Sequence, residues 1–326
     1  MKTCRIVLLA VFLTTVSVAQ TPSPSPQSQK PPQKPAETEQ QTIRVNATLV
    51  NTVFTVADKN GRGKFITNLK QDDFKIYEDD KVQGITNFST ETNLPLSIAL
   101  LVDTSGSIRD KLTLEQEAAI DFFYNNLHRG KDKGMVISFD SGVDVQQEFT
   151  DDSELLANSI RKIRAGGGTS LYDAVYLAIN ERLAKEPDDR RKVIILISDG
   201  DDNSSRVSLT ETLEVAQRHN VIVYCISTNQ TAYFGSKEQD RGDKTLKKLA
   251  DETGGRASFP LKLADVGNDF RDIGQELRSQ YTIGYRPQRP DDGTFRKIRI
   301  DVVSNKNYKT RHRTGYYAPK TTASRN

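Results

Sequence analysis

Cysteine and histidine are scarce in this 326-residue chain: two of the former, three of the latter. Long apolar runs are absent. The stretch Ile6–Leu13 is the most hydrophobic of the N-terminal region and is too short to span a bilayer. It follows Lys2 and Arg5 and precedes Ser17-Val18-Ala19, the arrangement of a secretory signal over residues 1–19. The chain is therefore expected to be exported to the periplasm, the cell surface or the medium, with no transmembrane span in its mature form. Cys4 lies before the apolar stretch, where no lipidation signal would use it. Cys225 then remains alone, so no intramolecular disulfide is expected, and its neighbours Val221-Ile222-Val223-Tyr224 mark it as a buried core thiol. His128, His219 and His312 are scattered without ligand spacing, which excludes a zinc site built on them. Charge of one sign is lacking too. The formal +3 falls to +1 once Lys2 and Arg5 are removed, and that balance argues against binding to nucleic acid or an anionic membrane.

What is present is organised in blocks. Residues 20–41 hold six of the twelve prolines among Ser, Gln and Lys, a semi-extended linker. Residues 42–94 read as β. Ile43, Val45, Ala47 and Leu49 alternate with polar residues, Val53–Val56 continues the run, and Phe74–Tyr77 and Ile85–Phe88 are short strands. Residues 95–278 alternate strand and helix, which predicts a mostly parallel sheet covered on both faces. Its strands are expected at 96–102, 134–139, 193–197, 221–227 and 256–259, with 143–149 an antiparallel edge. Its helices are expected at 115–127, 153–163, 171–184, 210–219, 244–252 and 263–277. Residues 279–319 return to β, with strands at 280–285, 296–303 and 308–311, and 320–326 form a tail. Each β flank is too small to bury a core alone. The economical architecture is a doubly wound α/β domain inserted into one small antiparallel β-sandwich-like module built from both flanks.

Within the α/β block, the apolar run Leu96–Val102 empties into Asp103-Thr104-Ser105-Gly106-Ser107. One carboxylate and two hydroxyls at alternate positions, with a glycine to tighten the turn, suit a hard divalent cation that takes oxygen ligands. Two further segments share the pattern. Gly166-Gly167-Gly168-Thr169-Ser170 opens a helix, and Val193–Ile197 ends in Ser198-Asp199-Gly200. In doubly wound sheets ligands bind beyond the carboxyl ends of the strands, where the strand order reverses, and Asp103 and Asp199 are expected on that rim.

DxSxS, then Thr after glycines, then a strand ending in Asp-Gly, resembles the metal-ion-dependent adhesion site of von Willebrand factor type A domains. The resemblance implies a metal site of Asp103, Ser105, Ser107, Thr169 and Asp199, holding Mg2+ or else Mn2+ or Ca2+. Asp173 and Asp201 are candidates for an outer ring. Asp173 is expected to hydrogen-bond the glycine loop, and Asp201-Asp202-Asn203 to be solvated loop polarity. The resemblance further implies capture of a Glu or Asp from a protein partner, the carboxylate replacing a water on the ion. Over about 42–319 the chain also resembles an exported bacterial family related to these domains. The shared stretches are Asp72-Asp73-Phe74, Tyr77-Glu78-Asp79, Leu277-Arg278-Ser279-Gln280-Tyr281 and Gly315-Tyr316-Tyr317-Ala318-Pro319.

Enzyme chemistry finds little support in the sequence. The glycine after Asp103-Thr104-Ser105 comes one place late for an aspartic protease, and no matching second motif supplies a proton-sharing partner. A Gly-x-Ser-x-Gly elbow around Ser105 is missing, the glycine loop has no Lys for phosphate, and Ser105 stands where a dehalogenase-type phosphatase needs Asp. The expectation is a non-enzymatic, metal-dependent adhesion module. The competing reading is a structural or assembly subunit of a cell-envelope complex whose metal site only pins loops or is vestigial. Arg241-Gly242-Asp243 is read as a chance tripeptide in a charged loop.

Overall fold

Alternate residues of the strand 96–103 point into two different cores, which organises the α/β part of the molecule. The computed structural model describes residues 49–320, apart from 60–63, 91–93, 107–108, 110, 230–236 and 263–264, with only the backbone described for 237–240. The expected signal, linker and first alternating β residues lie outside the described residues, as does Ser107.

Strand β5 (Leu96–Asp103) is buried at all eight positions. It pairs in parallel with β6 (Lys133–Phe139) on one side and β8 (Arg191–Ser198) on the other. The sheet is completed by β9 (Ile222–Ser227), β10 (Ala257–Ser258) and the antiparallel edge β7 (Val143–Thr150), in the order β10-β9-β8-β5-β6-β7. Ile98, Leu100 and Val102 face α1 (Leu112–Asn126), α2 (Ser153–Lys162) and α6 (Val266–Leu277) through Phe123, Leu156, Ile160 and Phe270. Ala99 and Leu101 face α3 (Leu171–Leu177), α4 (Leu209–Arg218) and α5 (Lys237–Thr253) through Val175, Leu213, Leu246 and Leu249. An aliphatic strand with no polar face is thus stable because both faces are covered. The chain leaves β5 toward β6, then returns to β8 on the other side. The order therefore reverses between β5 and β8, which end in Asp103 and just before Asp199.

Caps fix the helix starts. The Asp152 carboxylate accepts from the amides of Glu154 and Leu155, and Ser208 and Glu211 form a reciprocal capping box. The expected single helix over 171–184 is instead α3 followed by a π turn at Ala178–Arg182 and a 3-10 turn at Leu183–Lys185. Helix α5 begins earlier than the expected 244, so Arg241-Gly242-Asp243 is helical rather than a loop.

The flanks make two four-stranded antiparallel sheets, each drawing two strands from either side of the α/β block. One is β13-β1-β11-β4, from β1 (Val50–Asp58), β4 (Ile85–Ser89), β11 (Gln280–Tyr285) and β13 (Tyr308–His312). The other is β14-β12-β2-β3, from β2 (Phe74–Glu78), β3 (Lys81–Gln83), β12 (Phe295–Val302) and β14 (Gly315–Tyr317). Their inner faces share one core in which Phe54 stacks on Tyr281 at 5.3 Å and meets Phe74 edge-on at 5.1 Å. At its far end Glu78, 2 % exposed, accepts hydrogen bonds from the hydroxyls of Tyr285 and Tyr316, both 2.8 Å. The same carboxylate pairs with the fully buried Arg296 at 3.4 Å. Arg311 links this module to the α/β part, donating to the buried Glu276 at 2.8 Å and 2.9 Å.

Candidate metal centre

Four loops meet at the carboxyl edge of β5, β6 and β8, and backbone hydrogen bonds hold them in place. Gly166 N–H donates to the Thr104 carbonyl at 2.6 Å, and Gly106 N–H to the Gly167 carbonyl at 3.3 Å. Ser170 N–H donates to the Asp140 carbonyl at 2.6 Å, joining the glycine loop to the end of β6. The amides of Asn203 and Ser204 donate to the Thr169 carbonyl, while Thr169 N–H donates to Asn203 Oδ1 at 3.0 Å. The glycines are needed for this approach. Gly167 has φ +90°, and a Cβ there would lie 2.6 Å from Asp140 Oδ2. Gly200 has φ +83°, and its Cβ would meet the Gly242 carbonyl at 2.2 Å.

Asp103 is fully buried, and Ser105 and Thr169 nearly so. The Ser198 hydroxyl donates to Asp103 Oδ2 at 2.7 Å, and Ser105 N–H donates to Asp103 Oδ1 at 2.9 Å. Burial pushes the Asp103 carboxyl up to about 6, aided by the neighbouring Asp199, against the pull of the Ser198 and Ser105 hydrogen bonds. Asp199 is half-buried; its Oδ1 accepts from Asp201 N–H at 3.1 Å, and its carbonyl accepts from the Asn229 amide at 2.9 Å. Asp103, Ser105, Thr169 and Asp199 are thus gathered on connected loops. Asp173 looks elsewhere: its Oδ1 accepts from the amides of Arg206 and Val207 at 2.9 Å and 3.0 Å. It braces the 203–207 loop that carries Thr169's partner instead of bonding the glycine loop. Asp201 lies 3.9 Å from Arg241 at the site's edge.

The sequence reading missed several residues around this site. Ser198 orients Asp103. Asp140 ends a third parallel strand, a repeat of the strand-then-Asp pattern visible in Phe139-Asp140. Asp243 accepts from Ser227 and Asn229, both 2.9 Å, so the tripeptide 241–243 braces the end of β9 and the turn that follows it. The least expected residue is Glu115. It is fully buried on α1, and neither carboxylate oxygen has a hydrogen-bond partner. Burial pushes its carboxyl up to about 8, with Asp103 and Asp199 adding to the rise and Lys111 opposing it. Its signal was available in the sequence. Leu112, Glu115, Ala119 and Phe122 recur at helical spacing, which places an acid on the buried stripe.

These groups fit a divalent cation. Asp103 and Asp199 lie with the buried hydroxyl-bearing Ser105 and Thr169 on loops joined at one rim, and Glu115 is buried without a hydrogen-bond partner. The Ser170 hydroxyl, beside Thr169, is also buried without a partner. Neutral oxygens with few charges are the donors Mg2+ accepts while keeping waters of its own. Among the described residues no group of three or more His, Cys, Asp or Glu side chains is placed to hold a metal ion by itself.

Residues 98–201 match the family model of the von Willebrand factor type A domain. The calcium-activated chloride channel regulator 1 of Bos taurus is 26% identical over 171 residues, which covers 51% of this chain and only 17% of the bovine protein. Proximal thread matrix protein 1 from the mussel byssus superposes with a TM-score of 0.50 at 17% identity, over 62% of this chain and 51% of that one. A von Willebrand factor type A protein from Catenulispora acidiphila gives 0.49 at 13% identity, over 85% and 75%. No helix among the described residues is long and apolar enough to cross a membrane. The parallel sheet and its strand-ending aspartates lie in and around the segment 98–201, which is similar to the von Willebrand factor type A domain.

Proposed function

We propose that the rim formed by Asp103, Ser105, Thr169 and Asp199 binds a divalent cation, Mg2+ by preference, and uses it to capture a carboxylate from a protein partner. Ser107 would join them, although it lies outside the described residues. The observation that carries this reading is Asp103, fully buried at the end of β5 with its carboxylate held by the Ser198 hydroxyl and the Ser105 amide. An ion held there keeps strong attraction for a further anion, because neutral oxygens quench little of its charge. When bound, the ion supplies an electrophilic centre for that anion. The protein's own part is to fix the donors: Ser198 and the Ser105 amide lock the Asp103 carboxylate, and Asn203 locks the Thr169 backbone. No side chain in the rim is poised as a nucleophile with its base, so binding rather than catalysis is the proposed activity. Export before binding is part of the same proposal.

Calorimetric titration tests the metal. Wild type should take up one Mg2+ or Mn2+, and Asp103→Ala should take up none while keeping its circular dichroism. Unchanged titration of the variant would defeat the assignment. A pull-down from the source cell envelope with Mg2+ or EDTA tests the use of the ion. A partner retained equally in EDTA would favour an assembly subunit without metal-gated binding.

A further inference from the structure

We propose that the cleft between the α/β part and the β module, at the amino edge of the parallel sheet, binds the oxyanion group of a small ligand, a phosphate or a carboxylate. The cleft lies at the opposite end of the strands from the metal rim. Lys192 stands at the start of β8, His219 follows α4, and Arg313 lies between β13 and β14. With Arg190, Arg218 and Tyr316 they line a cavity of about 490 Å³. That is the size of a small-molecule site, and junctions between packed domains are where such sites collect.

Arg313 carries the inference. It is only 8 % exposed, and among the described residues the groups that meet its charge are neutral. Its guanidinium donates to the Asn51 carbonyl on β1 at 2.9 Å and to the Gln217 carbonyl on α4 at 3.3 Å. The Tyr316 ring lies 5.5 Å away, and Nε has no hydrogen-bond partner. The other Arg and Lys side chains on the cavity wall each have an acid of their own. Arg190 pairs with Glu186 at 3.3 Å, Lys192 with Asp188 at 3.1 Å and Arg218 with Glu214 at 2.7 Å. Glu252 accepts from Thr314 and Gln217 instead. The cavity wall is thus one negative charge short, and a buried cation in that state is costly. Two carbonyls could be bridged by a neutral amide side chain, so tying β1 to α4 does not by itself call for a guanidinium. Burial and the neighbouring Lys192 and Arg218 hold the His219 imidazole below its ordinary range, so the pocket resists further positive charge. Lys192 is 5 % exposed, whereas its partner Asp188 is fully exposed and holds it weakly. An entering oxyanion would meet Lys192 and Arg313 together and supply the missing charge.

The test uses the full chain in EDTA, so that the metal rim takes no part. Inorganic phosphate and acetate are titrated separately by calorimetry, with chloride holding the ionic strength constant. One equivalent of at least one of them should bind saturably, and the anion that binds identifies the group the site takes. Arg313→Met should weaken that binding about tenfold or more, the effect of losing a hydrogen bond to a charged group. Asp188→Asn changes only a fully exposed side chain and should tighten binding about threefold by releasing Lys192. This second variant decides the matter even where Arg313→Met fails to fold. Asp103→Ala should bind the anion like wild type. Absence of saturable binding by both anions would overturn the proposal, as would an affinity that Asp188→Asn leaves unchanged. Loss of anion binding in Asp103→Ala would put the anion at the other edge of the sheet and overturn it too.

Discussion

Replacing Glu78 by Ala should unfold the β module before it disturbs the metal rim. Glu78 comes from β2, ahead of the α/β block, while Tyr285, Arg296 and Tyr316 come from β11, β12 and β14, after it. The carboxylate accepts both tyrosine hydroxyls and faces the fully buried Arg296. Removing one member of a buried ion pair costs about 3–5 kcal/mol, because the remaining charge stays in place without compensation. Two stranded hydroxyls add to this, though not independently. Arg296 retains Asp292 at 3.4 Å and the Pro290 carbonyl, which moves the expectation to the lower end, about 3 kcal/mol. Glu78→Gln keeps an acceptor and should cost less. Arg296→Met added to Glu78→Ala should recover part of the loss, since the stranded charge is gone. Chemical denaturation followed by near-ultraviolet dichroism of the tyrosines reports on the module, and Mn2+ titration reports on the rim. A loss below about 1 kcal/mol for Glu78→Ala would refute the argument that this carboxylate ties the two flanks together.

Three further outcomes are expected. Thr169→Ala should weaken a carboxylate-bearing partner by about 1–3 kcal/mol with little change in melting temperature, since it strands one polar group and leaves the charge of Asp103 intact; unfolding with binding spared would mean the ion is only a pin. In EDTA, stability should fall as pH rises: the carboxyls of Asp103 and Glu115 stand at about 6 and about 8, above their ordinary values, so the folded state holds their protons more tightly, an advantage complete below about pH 4 and lost by pH 6 for Asp103 and pH 8 for Glu115. At about 1.4 kcal/mol per unit the two together amount to several kcal/mol, and a melting temperature that climbs from pH 5 to 8.5 in EDTA would contradict it. Expressed alone, residues 42–94 should stay unfolded, because β1 and β4 each pair with β11 and never with one another; a well-dispersed NMR spectrum would show the opposite.

The α/β half was legible because its cues are local. An aliphatic run ending in Asp is a buried parallel strand that reaches the rim, and this reasoning places β5 and β8 to within two residues. The edge strand β7 was legible for the opposite reason, since its alternating exposure reads straight from Val143 to Phe149. What stayed hidden depends on contacts between distant residues. Strand β1 pairs with both β11 and β13, more than two hundred residues away, and alternation of Val53, Phe54 and Val56 says only that partners exist. Strands β3 and β14 have three residues each, too few for any periodicity to show. The motifs at Tyr77-Glu78-Asp79 and Gly315-Tyr316-Tyr317 were visible as recurring text, but their purpose, a buried carboxylate shared by two sheets, needed the fold.

Glu115 and Arg241-Gly242-Asp243 show where local reading fails around a site. The tripeptide read as a chance occurrence in a charged loop and is bracing: Gly242 packs on Gly200, and the Asp243 carboxylate holds Ser227 and Asn229. Glu115 entered the sequence reading only as the first residue of an expected helix and is fully buried. A chain selected for stability alone would replace a buried acid that has no hydrogen-bond partner with something apolar. Here the acid was kept, and local inconsistency of that kind collects where a protein must bind.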